Sequence, residues 1–364
     1  MKNVHTITLK SGPRIGLGEP CFIVAEVGNN HQGDFNLAVQ MVETAARMGV
    51  HAVKFQKRDL DAMFTAAGKN TPYTGKNSFG STYGEHRLAL ELSFEEMAKL
   101  KQLTESLGLV FFTSAWDSVS LEQMLSLDVE LLKICSADLV NIPALRQAGR
   151  TGIPVILSTG MSTLTDIDRA VGELRHYHDD IILLHCNSSY PCPEADIALP
   201  CINTLKQRYG LPVGYSGHEQ GLGPSVAAAA LGACVIERHF TLDKTMPGTD
   251  HQVSLDPKEF ETLVTMVREV EQAMQVTGKK VYSQERAAAN KLRKSIVFAR
   301  NLPAGHIISE SDLTVKCPGA GVSPLQWDEV VGSILNVGVT VETPLRWEML
   351  SAADKTESPK EASL

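Results

Sequence analysis

His218 and His239 are the residues of this 364-residue chain whose type and spacing most suggest chemistry. Each stands just past a short apolar run, Leu211 to Tyr215 and Cys234 to Ile236. The segment between them, Pro224 to Leu231, has the alanine-rich composition of a helix packed on a sheet. The order is strand, histidine, helix, strand, histidine. In a parallel β/α array both imidazoles emerge at the C-terminal edge of neighbouring strands, where such barrels place their chemistry. Two imidazoles at that edge suit one divalent metal, with the remaining positions left to water and substrate. Taken singly, either histidine reads better as a hydrogen-bonded strand-end residue. Asp250 and His251 follow in the same loop, and polar crowding behind an apolar strand favours a site.

Lys54 in Ala-Val-Lys-Phe and Lys133 in Leu-Leu-Lys-Ile interrupt apolar strands, and lysine is almost never fully buried without a partner. Together with Ser136, Ser158 and Ser216 at corresponding places, they are suited to hold a phosphate and a carboxylate by charge-assisted hydrogen bonds. Alternatively, either lysine pairs with Glu26 or Asp138. Glu26, Asp138 and Asp250 supply carboxylates at three strand ends, placed for general acid or base work on water or a sugar hydroxyl. Asn29-Asn30-His31 reads equally as a helix-capping turn, and Tyr190-Pro191 as a loop anchor.

The elements that must position these groups form a repeat. Apolar strands are expected at Phe22–Ala25, Ala52–Phe55, Val110–Thr113, Glu130–Ile134, Val155–Ser158, Ile181–His185, Val213–Tyr215 and Cys234–Glu237, with helices between, among them Leu37–Met48 and one opened by Ser93 and Glu96 as a capping box. Eight strand-helix units over roughly 250 residues make a (β/α)8 TIM barrel. An open doubly wound sheet is the alternative, but no GxGxxG follows the first strand. A hairpin from Val4, punctuated between Ser11 and Pro20, is expected to close the bottom of the barrel. The connection from Gln56 to Leu92 is too long for an ordinary barrel loop. Its residues 76 to 86 mix hydrogen-bonding groups with glycines, as a substrate-covering lid or a solvated surface excursion would. The predicted domains are a barrel with its hairpin over 1–275, a linker over 276–293, a small mostly-β unit over 294–350 and a disordered tail over 351–364.

Composition bounds the function. A net charge of -8 argues against nucleic acid or an anionic membrane as partner, so an anionic substrate must be drawn in by a local basic pocket. Seven scattered cysteines without a CxxC read as reduced thiols. The polar N-terminus is unlike a signal peptide, and no apolar run approaches the roughly 18 residues of a membrane span. A cytoplasmic protein is expected.

Seven ordered motifs then become specific: Ala-Glu-Val-Gly-Asn-Asn-His (25–31), Val-Lys-Phe-Gln (53–56), Tyr-Gly-Glu-His (83–86), Ser-Thr-Gly-Met (158–161), Gly-Tyr-Ser-Gly-His (214–218), Glu-Arg-His-Phe-Thr (237–241) and Asp-His (250–251). Together they resemble the sialic acid synthase family. Residues 294–350, with Thr-Val-Lys-Cys-Pro-Gly (314–319), are similar to its C-terminal antifreeze-like (β-clip) domain. The resemblance implies condensation of phosphoenolpyruvate with an N-acylated hexosamine, giving a nonulosonic acid and phosphate, with Mn2+ or another divalent cation such as Mg2+ or Co2+. It makes His218 and His239 metal ligands. Lys54, Lys133, Ser136, Ser158, Ser188 and Ser216 would hold phosphoenolpyruvate. Glu26, Asn77, Tyr190 and Asp250 would meet the sugar, and Glu26, Asp138 and His239 would be catalytic. It also implies a homodimer in which the small domain caps the partner's barrel. Three positions depart from the family pattern: Cys135-Ser136-Ala137-Asp138 where Gly-Ser-Gly-Glu is common, Ser188 where bacterial relatives often carry Asn, and Cys317 where an Arg reaches the N-acyl group. Those departures leave two alternatives, a carbohydrate-binding barrel of impaired activity and another phosphoenolpyruvate-dependent aldol-type sugar acid synthase.

Overall fold

The computed structural model describes residues 6–276 and 278–351. They fall into two compact units, Met1–Val276 and Thr277–Leu364.

The first unit is a closed barrel of eight parallel strands. We number them β1 (Phe22–Gly28), β2 (Ala52–Lys57), β3 (Val110–Ala115), β4 (Leu132–Ile134), β5 (Val155–Ser158), β6 (Ile181–Cys186), β7 (Val213–Gly217) and β8 (Val235–His239). Each pairs with the next, and β8 closes on β1 with Glu237 beside Val24 and His239 beside Glu26. All eight apolar runs of the sequence are strands. The fourth is shorter than expected because Glu130 turns away: its carboxylate accepts the Ser11 backbone N–H at 2.7 Å.

Eight long helices follow the strands: α1 (Phe35–Arg47), α2 (Phe94–Ser106), α3 (Ser118–Ser126), α4 (Ile142–Arg150), α5 (Leu164–Arg175), α6 (Cys201–Tyr209), α7 (Gly223–Ala230) and α8 (Pro257–Met274). Their starts are written locally. Asp34, Ser93, Asp117, Asn141, Thr163 and Asp256 each accept N–H groups of the first turn, and at Ser93, Thr163 and Asp256 an acid three residues on returns the bond.

Alternation sorts the strand side chains between two cores. Ile23, Ala25 and Val27 of β1 face the helices with the larger apolar cluster, whereas Phe22 and Val24 face the barrel interior. The N-terminal hairpin pairs Ile7–Thr8 with Arg14–Ile15. Its Ile7, Leu9 and Ile15 plug the interior cluster from below, as expected, while Val4 and His5 lie outside the described residues.

The second unit is built from short antiparallel pairs, Ser295–Phe298 with Leu313–Lys316 and Ile334–Leu335 with Leu350–Ser351. Its core gathers Ile296, Phe298, Ile308, Val330, Leu335 and Leu345. Within the stretch read as a linker, Glu285–Leu292 is helical, because three consecutive alanines between charged residues favour helix once neighbours allow it. The tail expected to be disordered lies, beyond Ser351, outside the described residues. Among the described residues no helix is long and apolar enough to cross a membrane.

Candidate active site

Around the barrel the inward-facing side chains switch from apolar to polar at one level. Two residues after an apolar interior residue comes a polar one: Val24 then Glu26, Ala52 then Lys54, Phe112 then Ser114, Leu131 then Lys133, Ile156 then Ser158, Val235 then Glu237. A period of two keeps each pair on the same face of its strand. One further step upward places Gln56 above Lys54 and His239 above Glu237. The result is a cavity of about 280 Å³ at the C-terminal mouth, where this architecture puts its chemistry.

Four charged side chains, none more than 6% exposed, make the cavity floor. Lys54 Nζ lies 2.8 Å from Glu26 Oε2 and 3.8 Å from Glu237 Oε1. Lys133 Nζ lies 3.3 Å from the same Glu237 oxygen, to which Ser216 Oγ donates at 3.2 Å. Thus the two lysines share one carboxylate. Burial would raise the Glu237 carboxyl, yet Lys133 and then Lys54 hold it well below the usual carboxylate range. Glu26 moves the other way, since its burial outweighs the pull of Lys54. Two neighbouring carboxyls pushed apart give one permanent anion, Glu237, and one group ready to carry a proton, Glu26.

The hydroxyls stand on the neighbouring strand ends. Ser136 Oγ accepts the Gly160 backbone N–H at 3.0 Å. A Cβ on Gly160 would collide with the hydroxyl oxygens of Ser188 and Ser136, so glycine there lets both serines approach one point. Ser158 Oγ is buried and has no partner among the described residues. Two ammonium groups, the unpaired Ser158 hydroxyl and a backbone turn around one cavity form an anion receptor.

Above this floor the rings of His218 and His239 are 5.4 Å apart, and the Tyr190 ring packs 4.0 Å from His218 and edge-on to His239 at 5.8 Å. His218 Nδ1 is 2.7 Å from the Asn187 carbonyl, which makes it the donor and leaves Nε2 with a free lone pair. His239 is held neutral by burial, and its buried Nδ1 has no hydrogen-bond partner among the described residues. Two imidazoles, one with its second nitrogen pinned by a backbone carbonyl and one with a buried nitrogen unpaired, fit a divalent metal. Among the described residues no three His, Cys, Asp or Glu side chains cluster as ligands, so a cation here would complete its shell with water and substrate oxygens.

The structure therefore brings together Glu26, Lys54, Lys133, Ser136, Ser158, Ser188, Tyr190, Ser216, His218 and His239. Asp250 lies just outside, its Oδ2 3.9 Å from His239 Nδ1. Asn77 is bound to the same loop, accepting the Gly248 N–H at 3.3 Å. The connection that carries Asn77 is anchored to the barrel mouth through Glu91, which pairs with Lys57 and Arg58 at 3.2 Å. Asp138 stands apart from the cavity. It ends a single turn opened by Ser136, and Asn141 and Cys135 donate to its two oxygens at 3.0 and 3.3 Å. There it lines an adjoining space of about 420 Å³ against α3 and α4, which shares Trp116, Lys133 and Ala137 with the cavity. Cys317 is exposed, its thiol donating to the Leu292 carbonyl at 3.2 Å.

Sequence reasoning missed Glu237, Gln56 and Ser114. The signal was available for the first two: each is two residues from a chosen site residue on the same strand and so shares its face. Ser114 is marked by register, since it pairs with Lys133.

Residues 41–280 match the NeuB family and residues 293–351 match the SAF domain. The chain belongs to the NeuB family. It is 38% identical over 343 residues to the N,N'-diacetyllegionaminic acid synthase of Legionella pneumophila, covering 93% of this chain and 96% of that one. It is also 38% identical to the human N-acetylneuraminate-9-phosphate synthase, over 92% and 94% of the two chains. Among solved structures, the N-acetylneuraminic acid (sialic acid) synthetase of Leptospira borgpetersenii, in complex with citrate, superimposes with a TM-score of 0.67 at 35% identity, covering 78% of this chain and 95% of that one. The NeuB match covers most of the barrel and the SAF match the antiparallel second unit.

Proposed function

We propose that this NeuB-family member condenses phosphoenolpyruvate with an N-acylated hexosamine, in its open-chain aldehyde form, to a nine-carbon keto sugar acid and phosphate, with Mn2+ or a similar divalent ion at His218 and His239. The observation that carries the reading is the cavity floor. Two buried lysines share the Glu237 carboxylate beside the unpaired Ser158 hydroxyl, which suits a small, doubly anionic molecule rather than a neutral sugar alone. Lys54, with Ser114 at 3.3 Å, is placed for the carboxylate of phosphoenolpyruvate, and Lys133, Ser136, Ser158, Ser188 and Ser216 for its phosphate.

A divalent ion at the two histidines would supply Lewis-acid polarisation of the aldehyde oxygen. Tyr190 and Glu26 face the same space, and Asp250 borders it, so the sugar lies over the enol carbon. As C3 of phosphoenolpyruvate bonds to the aldehyde carbon, Glu26 is the carboxyl within the cavity able to give the new alkoxide its proton. Water then adds at C2, and the C–O bond to phosphate breaks as the ketone forms. Asp138 would orient that water only after turning from Asn141 into the cavity.

The assembly we propose is a two-fold dimer in which the SAF unit of each chain caps the barrel of the other. That unit carries apolar side chains suited to such docking, Leu325 being 95% exposed and Trp347 43%.

Phosphate release from phosphoenolpyruvate in the presence of Mn2+ tests the reaction. N-acetylmannosamine, its 6-phosphate and a diacetamido hexose are compared side by side. Turnover with one of the three is expected. Failure with all three, alongside tight phosphoenolpyruvate binding, would leave a binding barrel or a synthase for an unacylated phosphosugar.

A further inference from the structure

Directly behind the two histidines, on the helix-facing side of the strands, lies a second charged cluster that the reaction does not use. Arg238 stands between Glu237 and His239 on β8, and alternation turns it outward, away from both. Its partner Glu219 immediately follows His218, and neither side chain is exposed at all. Arg238 Nη1 donates to Glu219 Oε1 at 2.8 Å, to the Gly221 carbonyl at 2.9 Å and to Ser225 Oγ at 2.9 Å, while Nη2 donates to the Glu219 carbonyl at 2.6 Å. Tyr215 on β7 donates its hydroxyl to Glu219 Oε2 at 2.7 Å, and Ser225 on α7 donates to Oε1 at 2.9 Å. Backbone and side chains of β7, the turn after it, α7 and β8 are thereby tied to one guanidinium.

Gly217 shows that the arrangement is demanding. A Cβ there would collide with the Glu219 carboxylate and come within 2.7 Å of the Tyr215 ring, so the strand end is bare to let Glu219 fold back. An ion pair this deep is a poor device for stability, because desolvation consumes most of its attraction and an apolar pair of similar volume would serve as well. What it supplies is direction. It fixes the turn carrying His218 to the strand carrying His239, one residue away from each.

We infer that Arg238 and Glu219 are positioning residues for the imidazole pair, setting the spacing and tilt with which His218 and His239 present their nitrogens to a divalent cation. The inference rests on the metal reading of that pair, and the test separates the two. The double variant Arg238→Met/Glu219→Gln removes both charges together and so strands neither in the interior. Its melting temperature, its phosphoenolpyruvate affinity without metal and its Mn2+ affinity, read by the electron paramagnetic resonance of free Mn2+, are compared with those of the unaltered protein. We expect a folded protein that binds phosphoenolpyruvate unchanged, since the lysine floor is not touched. Mn2+ affinity falls roughly 10- to 100-fold, as for other residues that orient metal ligands from behind. Arg238→Lys alone should recover part of that loss.

A folded double variant with unaltered Mn2+ affinity would overturn the inference. Should the double variant not fold, Tyr215→Phe, which removes one bond to Glu219, replaces it with an expected loss on the order of threefold to tenfold, and no loss again overturns it. If the unaltered protein binds no Mn2+, the metal reading fails by itself. The positioning role is then judged by the imidazole proton and carbon resonances of His218 and His239, which must move in the variant for it to stand.

Discussion

Replacing Lys133 by methionine is the most direct test of the cavity floor. The aliphatic stem stays and the charge goes, so packing changes little. Lys133 Nζ is 3.3 Å from Glu237 Oε1 with its side chain only 3% exposed, and the other cation near that oxygen, Lys54, is 3.8 Å away and shared with Glu26. Two effects therefore add. Phosphoenolpyruvate loses a charged hydrogen bond worth about 1.5–3 kcal/mol, equivalent to roughly a 10- to 150-fold rise in dissociation constant. The Glu237 carboxylate, less neutralised, also repels the incoming anion, which pushes the result towards the upper end of that range. Lys133 is the largest favourable influence holding Glu237 ionised, so its loss also lets the Glu237 carboxyl rise towards its ordinary value. Isothermal calorimetry with phosphoenolpyruvate alone, at neutral pH and without metal or sugar, isolates this step. A far-UV circular dichroism melt shows that the barrel is intact. A folded Lys133→Met protein with an unchanged dissociation constant would refute the anion-receptor reading and leave the lysine a structural partner of Glu237.

Three further outcomes are expected. His218→Ala and His239→Ala should each abolish turnover and Mn2+ binding with the circular dichroism spectrum unchanged, because both stand at the barrel mouth outside its packed core; normal Mn2+ binding in either would remove the metal assignment. In the second unit, the Asp312 carboxylate has its pKa held far below the ordinary 3.8, against the effect of its burial, by bonds from His306, from the Ser309 hydroxyl and backbone N–H, and from Arg300. A depressed carboxyl contributes stability that is complete above its unfolded pKa and is lost as pH falls through the folded one, so Asp312→Asn should melt lower than the parent near neutrality and converge with it in strong acid; parallel melting curves at all pH values would contradict this. Finally, a chain truncated near Lys291 should keep a metal-binding barrel yet regain activity only when mixed with full-length His239→Ala protein, whose intact SAF unit would cap it; full activity of the truncated chain alone would exclude capping in trans.

The barrel was legible because each strand is an apolar run of the right length, flanked by caps whose side chains act within one turn. Lys54 and Lys133 were legible for the opposite reason, as charges in segments that otherwise admit none. Glu237 was hidden by its neighbours: in Glu-Arg-His the arginine supplies an obvious local partner. Only alternation shows that Glu237 faces the lysines while Arg238 faces away. Asp138 illustrates the reverse limit. Its place after a strand suggests the cavity, but a short side chain bonded to Asn141 follows the local turn instead. Sequence spacing places a backbone atom; it does not choose between two hydrogen-bond partners for a carboxylate.

The hairpin beneath the barrel has a kinetic meaning. Ile7, Leu9 and Ile15 close the bottom of a packed apolar interior, and the anion receptor sits on top of that packing, with the C-terminal mouth as its neck. Whatever binds at the histidines and Tyr190 stands in that neck. If phosphoenolpyruvate sits on the lysine floor and the sugar at the histidines, as proposed, the three-carbon acid should enter before the sugar, and a sugar that arrives first should block the way behind it. On that placement an excess of the sugar should inhibit and inorganic phosphate should leave last, which initial rates at rising sugar concentration and product-inhibition patterns would check.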